Sequence, residues 1–583
     1  MDFFNYFHSE ISKIIELVAK DLKVEFDASF LRFSVEVPKN EHHGDVATNV
    51  AMLLAKKFNK NPLQLAEIIV NYLEKIDCVQ SVNVAKPGFI NIVPKYSFWQ
   101  KQLFNILDLA ENYGRATTSN NKKVNIEYVS ANPTGPMHIG HGRGAVVGDI
   151  LAKLYMFLGY DVTKEYYVND SGGQINVLGK SLYFRYLELL NKTELFVKED
   201  NFYPGDYLIA VAEKLLQQDK DKWVGLEESL WLTYFKTFAL QEMLTLIKND
   251  LKLIDVNHDI FTSEKEVATD ANYLEVLEKL TSKDLIYIGT LNTPKGKVAE
   301  DFEIREQKLF KSTNYGDDSD RALEKSSGER TYFANDVVYH YNKVKRGFDK
   351  LINIWGADHI GYIKRVVSAV DALSDGKVSL DVAGCQLINL MDKGVPVKMS
   401  KRAGNFVTLQ DLIKEVGKDV FRVMMISRKN EMSIDFDLAE IKGQTAENPV
   451  FYIQYAYARV NSVLRNYAVE LGKEITVDEL KKADFSLLNH ENELKLLKSL
   501  LKLPKTLDLA IIGSDPHRLY LYLIEIATNF HSLWNKGKEN NDLRFIVKNN
   551  QQLTIARLAL LKATSISLAN VLNIIGVHIR EKM

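Results

Sequence analysis

Residues 124–158 constrain this chain more than any other stretch. A β-like run at 124–129 passes into a turn that Pro133, Gly135 and Pro136 keep from becoming helix. A helical pattern follows, with Val147, Ile150, Leu151, Leu154 and Leu158 expected on one face. Between strand and helix sit His138, Gly140 and His141, next to Gly142 and Gly144. Glycines there let a nucleotide approach the backbone closely, and a helix N-terminus offers N–H groups to phosphate. Two imidazoles one helical turn apart can both donate hydrogen bonds to charge developing on a phosphate. A glycine-rich turn with two incidental histidines accounts for the same residues. Zinc fits worse, because the HEXXH pattern needs His at i and i+4 around a Glu, whereas here the spacing is three and Ile139 follows.

The chain has 583 residues, which at ~100–200 residues per domain implies three to five domains. With 74 Lys and Arg against 76 Asp and Glu it is not a polycation, so a nucleic-acid surface has to be a local basic patch. Two cysteines, Cys78 and Cys385, cannot build a disulfide framework or a Cys-rich zinc site. The first 22 residues read as an amphipathic helix carrying acidic residues, without the basic and apolar regions of a signal peptide. No apolar run approaches ~18 residues, so no membrane span is expected and a cytoplasmic location is the default.

Residues 1–110 read as a small α+β accessory domain. Asn61 and Pro62 form an N-cap with proline at the first helical position, starting a helix over 63–74. Lys86, Pro87 and Gly88 join β-like runs at 81–85 and 89–93. The paired His42 and His43 precede an apolar helix expected over 46–58, and an exposed loop explains them better than a metal.

Residues 111–440 carry the chemistry. YVNDSGGQI at 167–175 marks a turn into a helix, and 180–300 look like a helical insertion between two halves of a sheet. GDDSDR at 316–321 reads as a charged, solvated turn. In TYFANDVVYH at 331–340, Tyr332 and Asp336 are four apart and share a face if the segment is helical. An Asp beside a Tyr hydroxyl can seat a cation, although an N-cap or surface Asp fits the spacing equally well. LINIW at 351–355 is a buried-strand candidate ending at Gly356 and Asp358. In a doubly wound sheet, ligands collect at the carboxyl ends of strands, where Asp358 can meet a ribose hydroxyl and Gly356 clears room for a base. KMSKRAGN at 398–405 packs three cations and a glycine into a short loop, either a solvated basic turn or a polyphosphate clamp.

A His-X-Gly-His turn followed by a Lys-Met-Ser-Lys loop across an insertion resembles the paired signature of class I aminoacyl-tRNA synthetases. ANPTGPMHIGHGR, YVNDSGGQI, GDDSDR, TYFANDVVYH and ENPVFYIQYAYAR are similar, in order and spacing, to the versions in the arginyl-tRNA synthetase family. The resemblance covers essentially the full chain. It implies a Rossmann-like doubly wound α/β catalytic domain at 111–440 with its helical insertion. A small α+β N-terminal tRNA-binding domain at 1–110 and an all-α anticodon-binding bundle at 441–583 would flank it.

The same resemblance implies an ATP-dependent, AMP-forming ligase. Arginine attacks the α-phosphorus of ATP, and the arginyl group then passes to the terminal adenosine of tRNA(Arg). His138 and His141 would stabilise the pentavalent transition state, and Lys398 and Lys401 the departing diphosphate. Pro133, Gly135, Gly140, Gly142, Gly356, Asp358, Met399 and Ser400 would line the ATP site. Glu127, Asn132, Tyr332 and Asp336 match positions for arginine, with Ser130 nearby in the same site; arginine's planar fork of donors calls for carboxylates and hydroxyls. Mg²⁺ is expected to travel with ATP, with no tightly bound protein metal. Arginine activation is expected only with tRNA bound, and the protein is expected to be a monomer with no membrane partner. The chain departs from the family at Tyr457, where His is frequent, and at Gly173, where a bulkier residue is common.

The region after Glu447 is helical in pattern, and Tyr452, Tyr455 and Arg459 share one face, with Arg465 and Tyr467 beyond. Aromatics interleaved with arginine suit unpaired RNA bases, although core packing claims about half of such tyrosines. Two alternatives stand beside this reading. A class I synthetase for another amino acid, such as cysteine or methionine, commonly carries Cys/His zinc ligands that two isolated cysteines cannot supply. A non-catalytic tRNA-binding homologue would be signalled by loss of the histidines or lysines, and all four are present.

Overall fold

A computed structural model describes residues 3–38, 40–115, 121–291, 303–397, 407–443, 448–471 and 474–580. The Lys398, Met399, Ser400 and Lys401 of the expected phosphate clamp lie outside these described residues.

The helix Phe3–Asp21 buries Phe7, Ile11, Ile15 and Val18, one stripe at helical spacing. Beside it four strands, β1 (Val35–Glu36), β2 (Val46–Thr48), β3 (Val79–Ala85) and β4 (Phe89–Pro94), form an antiparallel sheet in the order β1-β2-β4-β3. The hairpin around Pro87 is as expected, and so is the Asn61 cap, which with Gln64 closes a capping box on the helix Pro62–Leu73. The helix expected over 46–58 is a correction. Val46 and Thr48 pair with Ile92 and Ile90 as β2, and only Val50–Leu54 is helical. β-branched side chains facing an apolar hairpin outweigh the local helical pattern.

Five strands make the central sheet: β5 (Lys123–Glu127), β6 (Asp161–Val168), β7 (Ile260–Ser263) and, after three antiparallel strands of a smaller sheet, β11 (Lys350–Gly356) and β12 (Ser379–Cys385). The smaller sheet contains β8 (Ile286–Gly289), β9 (Gln307–Phe310) and β10 (Arg321–Glu324). The central order is β12-β11-β5-β6-β7, every pair parallel. The chain leaves β5 toward β6 and β7, then returns to β5's other edge as β11, in register Lys350↔Val124 through Asn353↔Glu127. The crevice between the carboxyl ends of β5 and β11 is therefore the topological switch point, where ligands bind in such sheets. A last small sheet joins β13 (Ile388–Asp392), β14 (Val395–Pro396) and β15 (Ile434–Asp437), with β13 and β15 parallel.

Three further expectations need adjusting. The insertion expected over 180–300 contains β7, so its helical block ends with Glu228–Leu253 and the chain re-enters the central sheet earlier than expected. The helix Ile139–Phe157 is buried on nearly every side, Val146, Ala152 and Tyr155 included, because it is sandwiched between the sheet and later segments. In the turn at 316–321, expected to be solvated, Asp317 is buried and takes a bidentate contact from Arg321, at 2.7 and 2.8 Å.

Beyond residue 448 all the described elements are helical, as expected. The closing helix Gln551–Ile574 is long and apolar enough to cross a membrane by length and composition, although Arg557 and Lys562 break its apolar run. Its most apolar window is 83% buried inside the protein, the position of a bundle's core helix. One contiguous apolar cluster runs from Phe7 through Val146 and Val460 to Leu572. Its continuity is reinforced by Arg422, whose guanidinium donates to Asp149 on the helix after β5 at 2.6 Å and to the carbonyls of Ile254 and Ile575 at 2.7 Å each.

Candidate active site

The histidine turn is built by reciprocal capping. His138 is the N-cap of Ile139–Phe157, and its Nδ1 accepts from the Gly140 N–H at 3.1 Å. His141 Nδ1 accepts from the His138 N–H at 3.3 Å, so the two rings stack at 3.8 Å. Because both Nδ1 atoms accept, a proton on either ring belongs to Nε2. That proton, together with the positive end of the helix, suits an anion at this N-terminus.

The glycines around it divide into two kinds. Gly140 is exposed. Gly142 is buried, and a Cβ there would come 2.5 Å from Phe421, while one at Gly135 would come 2.9 Å from the Tyr207 hydroxyl. Both therefore serve helix and turn packing, and Pro133 is buried beside them. Gly356 and Asp358 do reach the carboxyl end of β11, where Asp358 is exposed and its carboxylate lies 3.3 Å from His359.

Immediately after β5, Val129 and Ser130 take φ of 71° and 39°. A β-branched residue in that region is strained, which is a feature of functional turns. The turn brings the Ser130 hydroxyl back to donate to Glu127 Oε1 at 3.1 Å and to accept from the Tyr167 N–H at 3.1 Å. Glu127 Oε2 accepts from the fully buried Lys343 at 2.6 Å. Lys343 also reaches Asn353 Oδ1 at 3.3 Å.

Asp336 stands on the same helix as Lys343, Tyr332–Lys345. Burial pushes its carboxyl from the ordinary 3.8 up to about 7; a hydrogen bond from Tyr362 pulls the other way, and Glu127 and Glu264 push it higher still. The Tyr167 hydroxyl is raised by burial and then by Glu264, Asp336, Glu127 and Asp170, which gathers these carboxylates around one ring. His340 is held neutral, near 4, first by burial and then by Lys343. Beneath them Glu165 accepts from Thr262 and Asn125 at 2.6 Å each and from Arg346.

Glu127, Ser130 and Asp336 thus come together, as expected. Asn132 is exposed and donates to Gln174 at 3.1 Å. Tyr332 begins the Asp336 helix, so the segment is helical, but Tyr332 is 73% exposed. Glu264 was missed. It is buried just past β7 and takes hydrogen bonds from Asn335 at 3.4 Å and, with the amide oriented to satisfy both groups, from Asn169 at 3.1 Å. Recognising β7 would have exposed it, because it follows a strand's carboxyl end.

In the helical region, Tyr455 and Arg459 share a face as expected. The Arg459 guanidinium lies over the Tyr455 ring at 3.8 Å and faces Trp534 at 5.0 Å. Tyr457 and Tyr467 go into the core.

Comparison with known proteins agrees with this layout. Residues 7–93 match the arginyl tRNA synthetase N terminal domain, 102–467 the class I (R) tRNA synthetase catalytic domain and 453–583 the DALR anticodon binding domain. The chain is 48% identical over 557 residues to an arginine–tRNA ligase of Roseobacter denitrificans, covering 96% of this chain and 95% of that one. It is 45% identical over 583 residues to that of Ruegeria pomeroyi, covering both in full. Among solved structures, the Thermus thermophilus arginyl-tRNA synthetase superposes over the whole of both chains with a TM-score of 0.73 at 17% identity, a likeness of fold. With three successive family domains and full-length relatives at this identity, the chain belongs to the arginyl-tRNA synthetase family.

Proposed function

We propose that this protein is an arginine–tRNA ligase, working in the cytoplasm, that joins arginine to ATP as arginyl-adenylate and passes it to the 3′ end of tRNA(Arg). The observation that carries the choice of amino acid is Asp336. Its half-buried carboxyl is held near 7 by burial and by Glu127 and Glu264, while Lys343 ion-pairs with Glu127. Such a site gains by taking in a permanently charged, planar guanidinium, which relieves the repulsion and can bridge two carboxylates. Lysine, a point charge, would satisfy fewer oxygens, each left at about 1–3 kcal/mol.

In the first step the arginine carboxylate attacks the α-phosphorus of Mg-ATP, magnesium arriving with the nucleotide. His138 and His141 donate from Nε2 to the equatorial oxygens, and diphosphate leaves toward Lys398 and Lys401. In the second step a ribose hydroxyl of the terminal adenosine attacks the arginyl carbonyl and AMP leaves. No covalent enzyme intermediate is needed, and the protein contributes position and charge. The Gly356 and Asp358 end of β11 offers the ribose and base contacts. In the bundle, Tyr455 and Arg459 offer a stacking surface to tRNA.

Arginine-dependent exchange of labelled diphosphate into ATP, with and without tRNA(Arg), tests this reading. Exchange that requires both arginine and that tRNA is the expected result. Exchange with another amino acid in place of arginine would overturn the specificity, and no exchange with any amino acid would overturn the enzyme.

A further inference from the structure

The helical insertion reaches the histidine turn through two side chains. Tyr207, the first residue of the helix Tyr207–Asp219, donates its hydroxyl proton to the Thr134 carbonyl at 2.7 Å. Asp250, near the end of Glu228–Leu253, accepts from the N–H of Met137 at 3.0 Å, one residue before His138. Asp250 is only 6% exposed and Met137 is buried, so this contact is shielded from water.

From the opposite side, the Leu409 N–H donates to the Met137 carbonyl at 2.9 Å, and Thr408 and His138 form an antiparallel bridge. Both backbone groups of Met137 are thus held by segments more than a hundred residues away. A buried amide that lost its acceptor would have to move to find another, and the next residue is the helix cap that carries the stacked imidazoles. Gly135 adds to the restraint, since its backbone packs directly against the Tyr207 ring and hydroxyl.

We propose that Tyr207 and Asp250 are positioning residues for adenylate formation, through which the helical insertion sets the placement of His138 and His141 against the reacting phosphate. The inference rests on the ligase reading above. Burial raises the Asp250 carboxyl to about 6, against the pull of the Met137 N–H and with a push from Asp411. It is therefore an ionised acceptor at neutral pH, the stronger kind for a backbone N–H.

The test uses full-length Tyr207→Phe, Asp250→Ala and Asp250→Asn in the tRNA-supported exchange assay, with active sites titrated so that misfolded protein is not counted. Asp250→Ala is expected to lower kcat ~10- to 100-fold, the penalty of a small misplacement, with KM for arginine and ATP nearly unchanged. Tyr207→Phe, which removes one oxygen and keeps the packing, is expected to lower kcat about fivefold. Asp250→Asn keeps an oxygen acceptor and should return to within about fivefold of wild type. Should Asp250→Ala not fold, Tyr207→Phe and Asp250→Asn decide by the same kcat criterion. Unchanged kcat per active site in Asp250→Ala and Tyr207→Phe, even with lowered melting temperatures, would overturn the inference. So would an Asp250→Asn no better than Asp250→Ala, or KM values rising in step with the loss in kcat. Wild-type protein without arginine-dependent exchange would overturn the ligase reading and this inference with it.

Discussion

Lys343 Nζ lies 2.6 Å from Glu127 Oε2, with the lysine fully buried and the carboxylate nearly so. Glu127 ends the strand before the histidine turn, and Lys343 belongs to the helix that carries Asp336. The pair therefore ties together the two walls of the proposed arginine pocket. Lys343→Met keeps the volume but strands a buried carboxylate, which is expected to destabilise the protein by about 3–5 kcal/mol. Adding Glu127→Gln should recover most of that. Urea unfolding midpoints check both, and a single variant as stable as wild type would deny the pair its structural role.

Asp336 gives a pH dependence of definite sign. Its folded-state value, about 7, lies above the ordinary 3.8, so its contribution to stability is fully present below about 4 and lost as pH rises through 7. Asp336→Asn is therefore expected to raise the melting temperature at pH 8 and leave it unchanged at pH 4. If Asp336 holds arginine as proposed, the ionised form is needed, so the wild-type KM for arginine should climb roughly tenfold per pH unit below 7. A KM flat from pH 8 to pH 5.5 would remove Asp336 from the pocket.

The capping role of His141 and its proposed catalytic role separate by measurement. As the partner in the capping box it contributes about 1 kcal/mol to the helix, and as a donor to the α-phosphate it acts on the chemical step. His141→Ala should lower kcat ~10²–10³-fold with little change in arginine KM, alongside only a small drop in melting temperature.

Arg422→Lys retains a charge near Asp149, but a lysine cannot also fork to the carbonyls of Ile254 and Ile575. Losing the donors to those buried acceptors should cost about 2–4 kcal/mol, read as a lower denaturation midpoint. A midpoint equal to wild type would show that water or a neighbour satisfies them.

The legible parts of the sequence were those fixed by local spacing. The strand–turn–helix around His138, the hairpin at Pro87 and the helix pairing Tyr332 with Asp336 all follow from short-range turn chemistry and periodicity. What escaped depends on partners far along the chain. β7 is four residues long and reads as part of a helical stretch until β6 supplies its ladder, and Glu264 was hidden with it. Val46 and Thr48 look helical until Ile90 and Ile92 are set opposite them. Gly135 and Gly142 carry no mark to distinguish room for a nucleotide from room for Tyr207 or Phe421. Nor does a one-turn spacing tell that Asp336 is half-buried near Glu127 and Glu264 while Tyr332 stays in solvent.

The apolar cluster that runs from Phe7 to Leu572 has a bearing on how such a chain can be dismantled. Three family domains can be cut apart on paper at residues 93, 102 and 453, but no such cut passes between separate cores. Removing the last helix would uncover the apolar flank of the histidine-bearing helix and leave Arg422 without its Ile575 acceptor. The three domains are therefore joined through one shared apolar cluster, and a fragment ending near residue 450 should be a sticky, poorly ordered piece rather than a smaller enzyme.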